Sequence, residues 1–156
     1  MTSRKKAPGL FTIGYEKATV AAFFDELRRH RVELIADVRA VTASRRPGFS
    51  KRQLSAGLDE IGIGYVHFSG LGTPAEGREA SRSGHPDKMY AIYERHLETP
   101  KAREDMDALL ATLRAGKRVC LLCYERDIDH CHRRRVAELV CEAADLDVAH
   151  LAPTLF

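Results

Sequence analysis

Val119-Cys-Leu-Leu-Cys-Tyr-Glu-Arg-Asp-Ile-Asp-His-Cys-His-Arg133 decides the reading of this chain. Its first half is a short apolar run, the pattern of a strand buried on both faces. Its second half is polar, and beyond it Val136, Leu139, Val140 and Ala143 recur at helical spacing. The segment therefore reads as a strand, a loop and the start of a helix. Cys123, Glu125, Cys131, His132 and Arg133 crowd into that loop.

Working outward, strands and helices alternate. Leu10–Gly14 is an apolar run closed by Gly and predicts a strand. Thr19 predicts a cap for a helix carrying Val20, Phe23, Phe24 and Leu27, which His30 and Arg31 close with positive charge. Leu34–Val38 predicts the second strand, and Arg39–Gly48, without apolar period, a long loop. Ser50 with Gln53 predicts a capping box before a helix carrying Leu54, Leu58 and Ile61. Tyr65–Phe68 predicts the third strand and Ser69–Pro86 a second long loop. Met89, Ile92, Tyr93, His96 and Leu97 mark a helix, and Thr99 with Pro100 starts another through Met106, Leu109, Leu110 and Leu113. Asp147–Leu151 predicts a last strand. The order β-α-β-α-β-α-α-β-α-β implies an α/β fold: a mostly parallel sheet of about five strands with helices on both faces.

The 156 residues suit one domain spanning 1–156, with residues 1–9 as a flexible tail. Apolar residues make up 44% and charged residues 30%, the balance expected of an ordinary soluble globular chain. No apolar run approaches the roughly 20 residues that cross a bilayer. The basic N-terminus lacks the apolar stretch of a secretory signal. The expectation is a cytoplasmic protein with no membrane partner and with its four cysteines as free thiols. Net charge is +3, from 25 basic and 22 acidic residues, too little to argue for nucleic acid by itself. Basic residues nevertheless cluster between Arg28 and Arg52 and at Arg133–Arg135, which keeps nucleic acid open as a partner.

In parallel α/β sheets ligands bind at the carboxyl ends of the strands. The reactive residues of this chain gather there: Tyr15 after the first strand, Asp37, Arg39, Ser44 and Arg45 after the second, His67 at the end of the third, and the cysteine-containing loop after the fourth. Cys120 and Cys123 match C-x-x-C by letter, but residues three apart in a strand face opposite ways, so neither a shared metal nor a redox pair is expected of them. Cys131 stands where a helix dipole and Arg133 favour the thiolate and is a candidate nucleophile; the alternative is a small cysteine packed under the loop. Glu125 is the acid or base best placed by position, with His132 close by and His67 or Tyr15 as assistants. A metal on Cys123, Cys131 and His132 fits no strong spacing pattern, so no metal is assigned and the cofactor stays unknown.

Asp37 and Arg39 share a strand face. Either they pair to fix the loop, or Arg39 and Arg45 form a fork for a phosphate or carboxylate, joined by Arg133 and the free N–H groups of the helix start. The second reading predicts an anionic small-molecule ligand. No G-x-G-x-x-G or P-loop is present. A tyrosine-phosphatase-like loop would need Arg six residues after its Cys, where Asp129 and Ala137 stand. These observations together predict an enzyme that acts by hydrolysis or group transfer on a phosphorylated or nucleotide-like small molecule. The alternatives are a non-catalytic nucleic-acid- or ligand-binding module and a thiol-based sensor centred on Cys131.

The chain resembles the DUF488 family, small bacterial and archaeal proteins named for lacking an assigned function. The resemblance rests on Thr12-Ile-Gly-Tyr-Glu16, Asp37-Val-Arg39, Ser44-Arg45 with Pro47-Gly-Phe49, Gly64-Tyr-Val-His67, Leu71-Gly72, Leu122-Cys-Tyr-Glu125, Cys131-His-Arg133 and His150-Leu151. The chain departs from it at Thr42-Ala43, where the family often carries Pro. The resemblance implies an α/β fold and a common site at these positions. It implies no particular reaction.

Overall fold

A computed structural model describes residues 9–155. The expected tail, residues 1–9, lies outside the described residues apart from Gly9. Five strands form one sheet: β1 (Leu10–Gly14), β2 (Leu34–Asp37), β3 (Gly64–His67), β4 (Val119–Cys123) and β5 (Val148–Leu151). Their order is β3-β2-β4-β1-β5, and every neighbouring pair is parallel. The helices among the described residues are α1 (Val20–Arg29), α2 (Lys51–Glu60), α3 (Ala75–Arg82), α4 (Pro86–His96), α5 (Pro100–Arg114) and α6 (Arg133–Ala144).

The two central strands explain the continuous apolar runs. All five residues of β1 and of β4 are buried, because helices cover both faces. On one face, Phe23 and Leu27 of α1 and Leu54 and Leu58 of α2 pack on Phe11, Ile13 and Leu122. On the other, Met89 and Tyr93 of α4, Leu109 of α5 and Val136 and Val140 of α6 pack on Ala36, Leu121 and Cys123. Cys120 and Cys123 fall in these opposite cores, as the strand period requires. Burial pushes the Cys120 thiol up, far from any reactive range.

Two local expectations are corrected. The segment Ser69–Pro86 is not an open loop: Ser69–Leu71 makes a 3-10 turn and Ala75–Arg82 is helix α3. That helix buries only Gly77 and Ala80, so it carries no large apolar stripe to announce it. The capping box at Ser50 does not form. Ser50 stands at the N-cap, but its hydroxyl accepts from the Ser44 N–H at 2.9 Å, while Gln53 accepts from the Gly48 N–H at 3.0 Å. Both side chains tie down the loop after β2 instead of the helix. Thr19 and Thr99 do cap α1 and α5, as expected.

The register sets the site. Gly14 pairs with Cys123, and Asp37 with both Leu122 and His67, so four strand ends lie level. From adjacent β2 and β4 the chain leaves toward α2 on one face and α6 on the other. That divergence opens a crevice at the carboxyl edge of the sheet.

Candidate functional site

The crevice holds a cavity of about 610 Å³. Its inner wall comes from the strand ends: Tyr15, Arg39, Ser44, Cys123, Glu125 and His132. Its outer wall comes from Arg45 and Arg46 and from α3, which brings Arg78, Ser81 and Arg82. Five arginines thus line the space, and Glu125 is the acidic residue among the lining side chains.

The inner wall is a buried network. Asp37 is fully buried and accepts from Arg39 Nε at 2.9 Å and Nη2 at 2.8 Å, and from the Arg39 backbone N–H at 3.1 Å. Tyr65 also donates its hydroxyl to Asp37. Arg39 Nη1 donates to the Tyr15 hydroxyl at 3.2 Å and to the Phe49 carbonyl at 2.7 Å. The Tyr15 hydroxyl in turn donates to Ser44 Oγ at 3.1 Å. Burial alone would pull Arg39 down, but the Asp37 carboxylate outweighs it and holds the guanidinium charged, above the ordinary range. Burial and the same carboxylate push the Tyr65 phenol up.

The structure therefore shows the Asp37–Arg39 pair that fixes the loop, with Arg39 and Arg45 both on the cavity lining. His67 likewise serves the loop: its Nε2–H donates to the Arg39 carbonyl at 2.8 Å. Neither Asp37 nor His67 lines the cavity. Arg133 also directs its guanidinium into the protein and does not line the cavity. It is 1% exposed, and its guanidinium donates to the Glu125 carbonyl and, at 3.2 Å, to the Arg126 carbonyl. The helix start it belongs to is also occupied. The N–H groups of Arg133, Arg134 and Arg135 go to Cys131 Sγ, the Cys131 carbonyl and the His132 carbonyl.

The loop after β4 brings its reactive groups together. Glu125 Oε2 lies 3.1 Å from Cys123 Sγ, and burial pushes the Glu125 carboxyl up. Cys123 and Cys131 are not independent thiols, as their expected free state implied: their sulfurs are in bonding contact, with Cα atoms 7.6 Å apart. His132 stands beside them, Nδ1 toward Cys131 Sγ at 4.0 Å and Nε2 on the Val38 carbonyl at 2.7 Å. Burial pushes His132 down to about 4. Cys131 is buried behind this wall, so the sulfur at the cavity is that of Cys123. Gly14 permits the arrangement: a Cβ there would overlap the Glu125 carbonyl oxygen.

Of the expected residues, Tyr15, Arg39, Ser44, Arg45, Glu125 and His132 meet around the cavity, while Asp37, His67, Cys131 and Arg133 stand behind it. Sequence reasoning missed Arg46, Arg78 and Arg82. The signal for the last two was present in the helix-forming Ala, Glu and Arg content of 75–82, with Glu76 early and Arg82 late. Arg78 is half-buried, one Nη holding the Thr73 carbonyl at 2.8 Å. Arg45 is exposed, and among the described residues no hydrogen bond or ion pair holds it.

No curated protein and no solved structure matches the chain. The sequence profile of one family, described as domain of unknown function DUF488, matches residues 19–140. That span includes every stretch of the resemblance between Asp37 and Arg133, and leaves Thr12–Glu16 and His150–Leu151 outside. A match over that much of the 156 residues settles membership: the chain belongs to the DUF488 family.

Proposed function

We propose that this protein is an enzyme that binds a phosphorylated or nucleotide-like small molecule in the cavity at the carboxyl edge of its sheet and acts on it by hydrolysis or group transfer. The observation that carries the reading is the charge of the lining: Arg45, Arg46, Arg78 and Arg82 line a space of about 610 Å³, and although Arg46 holds the Ala18 carbonyl and Arg82 pairs with Glu79, Arg45 is held by no partner among the described residues. Guanidinium groups match phosphate oxygens in geometry as well as charge. The volume is that of a small-molecule site rather than of a groove for a long polymer. Glu125 and Cys123 line the same space, their Oε2 and Sγ 3.1 Å apart, so a bound phosphate would have its neighbouring atoms within the cavity that holds them. Glu125 is the group positioned to move a proton.

The test is a thermal-shift screen of the purified protein against nucleotides, sugar phosphates and dicarboxylates at fixed salt. A ligand at 100 times its dissociation constant stabilises by about 2.7 kcal/mol, a shift of several degrees at this size. The expected result is a shift with one phosphorylated class that is lost in the Arg45→Ala/Arg78→Ala variant, followed by turnover of that class. Absence of a shift with any of the three groups sinks the reading. No helix among the described residues is long and apolar enough to cross a membrane.

A further inference from the structure

The anion reading leaves a second chemistry in the cavity wall unexplained. Among the described residues, the ligand atoms of Cys123, Cys131 and His132 lie within 4.8 Å of one another. The orientation of each is fixed from outside the group. His132 Nε2 faces the Val38 carbonyl at 2.7 Å, which only accepts, so Nε2 carries the proton and Nδ1 keeps its lone pair. That lone pair points at Cys131 Sγ, 4.0 Å away. A backbone carbonyl holding the far nitrogen is the usual support of a metal-binding imidazole.

The sulfurs are supported in the same sense. Cys131 Sγ accepts from the Arg133 backbone N–H at 3.5 Å, and Cys123 Sγ accepts from the Arg133 guanidinium at 3.7 Å. Donors aimed at both sulfurs favour thiolates, the form that binds metals, although Cys123 Sγ also meets the Glu125 carboxyl at 3.1 Å, which must turn from the sulfur when the ion is bound. The backbone spacing points the same way. Disulfides span roughly 4.4–6.8 Å between Cα atoms, and this pair spans 7.6 Å. Two sulfurs sharing a tetrahedral ion at about 2.3 Å each stand about 3.8 Å apart, which requires the wider setting.

We propose that Cys123, Cys131 and His132 Nδ1 hold one borderline-soft divalent ion of the zinc class, with the fourth coordination position facing the arginine-lined cavity beside Glu125. Once a thiol or phosphine reductant supplies two electrons and two protons to turn the Cys123–Cys131 contact into two thiols, loading replaces two S–H bonds with two metal–sulfur bonds and releases two protons to solvent; the loading step itself exchanges no electrons. Three protein ligands and one outward position are the pattern of a catalytic site. The ion site stands without the anion-binding reading; only its role in turnover rests on that reading.

The experiment is titration of the reduced full-length chain with Co(II), followed by displacement with Zn(II). The expected result is one Co(II) per chain, with thiolate-to-cobalt charge-transfer absorption and the d–d bands of a tetrahedral ion. Cys123→Ser and Cys131→Ser should each weaken binding by more than the roughly 10–100-fold typical of losing an outer-shell partner, and Cys141→Ser should leave the spectrum unchanged. Reduced wild-type protein that takes up no Co(II) overturns the site and leaves Cys123 and Cys131 as a redox pair. A charge-transfer band that survives Cys123→Ser overturns it as well. Should the variants fail to fold, alkylation of the wild type decides: Zn(II) must protect Cys123 and Cys131 in peptide maps while Cys141 still reacts, and equal labelling with and without Zn(II) rejects the site. None of these readouts involves a phosphorylated ligand, so failure of the anion reading leaves the cobalt result intact.

Discussion

On the inner wall of the cavity, Asp37, Arg39, Tyr15 and Ser44 direct their polar groups at one another and at the loop backbone. On the outer wall, Arg46 holds the Ala18 carbonyl, Arg82 pairs with Glu79 and Arg78 gives up one Nη to the Thr73 carbonyl, while Arg45 meets no protein partner among the described residues. Both walls carry arginine, and Arg39 and Arg45 do opposite work on them. Buried among acceptors, a guanidinium is a structural tie whose charge is already matched. Exposed at the rim, it keeps its donors for something that arrives. The charge that defines a binding site is the charge that the fold has not used.

The largest effect should come from cutting the inner wall. Arg39→Ala leaves a fully buried Asp37 without its ion partner, and breaking a buried pair costs about 3–5 kcal/mol. Urea denaturation should show that loss as a lower midpoint. A loss under about 1 kcal/mol would mean that Asp37 relaxes to water, and the inner wall would then be a ligand site after all.

A smaller loss should follow Gly14→Ala. A Cβ at this position would meet the Glu125 carbonyl and the Arg126 nitrogen, so β1 and the loop after β4 must part. Overfilling of this kind costs about 1–3 kcal/mol. Because Glu125 is carried on the displaced segment, ligand-induced thermal shifts should shrink along with stability. An unchanged urea midpoint would show that the loop after β4 is mobile and the inner wall less fixed than its hydrogen bonds imply.

These two positions show what the chain disclosed in advance. The buried strands were legible because Leu10–Gly14 and Val119–Cys123 are apolar without interruption, and Thr19 and Thr99 are caps with a physical role. Convergence at the strand ends followed from topology alone. Strand order did not, since β4 inserts between β2 and β1 through contacts distant in sequence. For Arg39 the sequence left two readings, the Asp37 pair among them, and the contacts of His67 and Arg133 were hidden. Whether an arginine is a strut or a ligand depends on which carbonyls and carboxylates surround it, and Phe49, Glu125 and Arg126 offer backbone oxygens that no sequence pattern marks. Helix α3 escaped for a different reason. It lies on the protein with Gly77 and Ala80, residues too small to produce an apolar period.

The smallest stability effect and the sharpest division between the walls belong to Arg45→Ala. An exposed side chain with no partner among the described residues should change stability by no more than about 0.5 kcal/mol. Its charge nevertheless faces the cavity, so affinity for a phosphorylated ligand should fall while the urea midpoint stays in place. Salt separates this role from a packing role. The screening length is about 10 Å at 0.1 M and about 3 Å at 1 M, so the affinity gap between wild type and variant should close as salt rises. A contact made by packing would keep the gap at every salt concentration. A fall in the urea midpoint would instead place Arg45 with Arg39, among the residues that hold the loop.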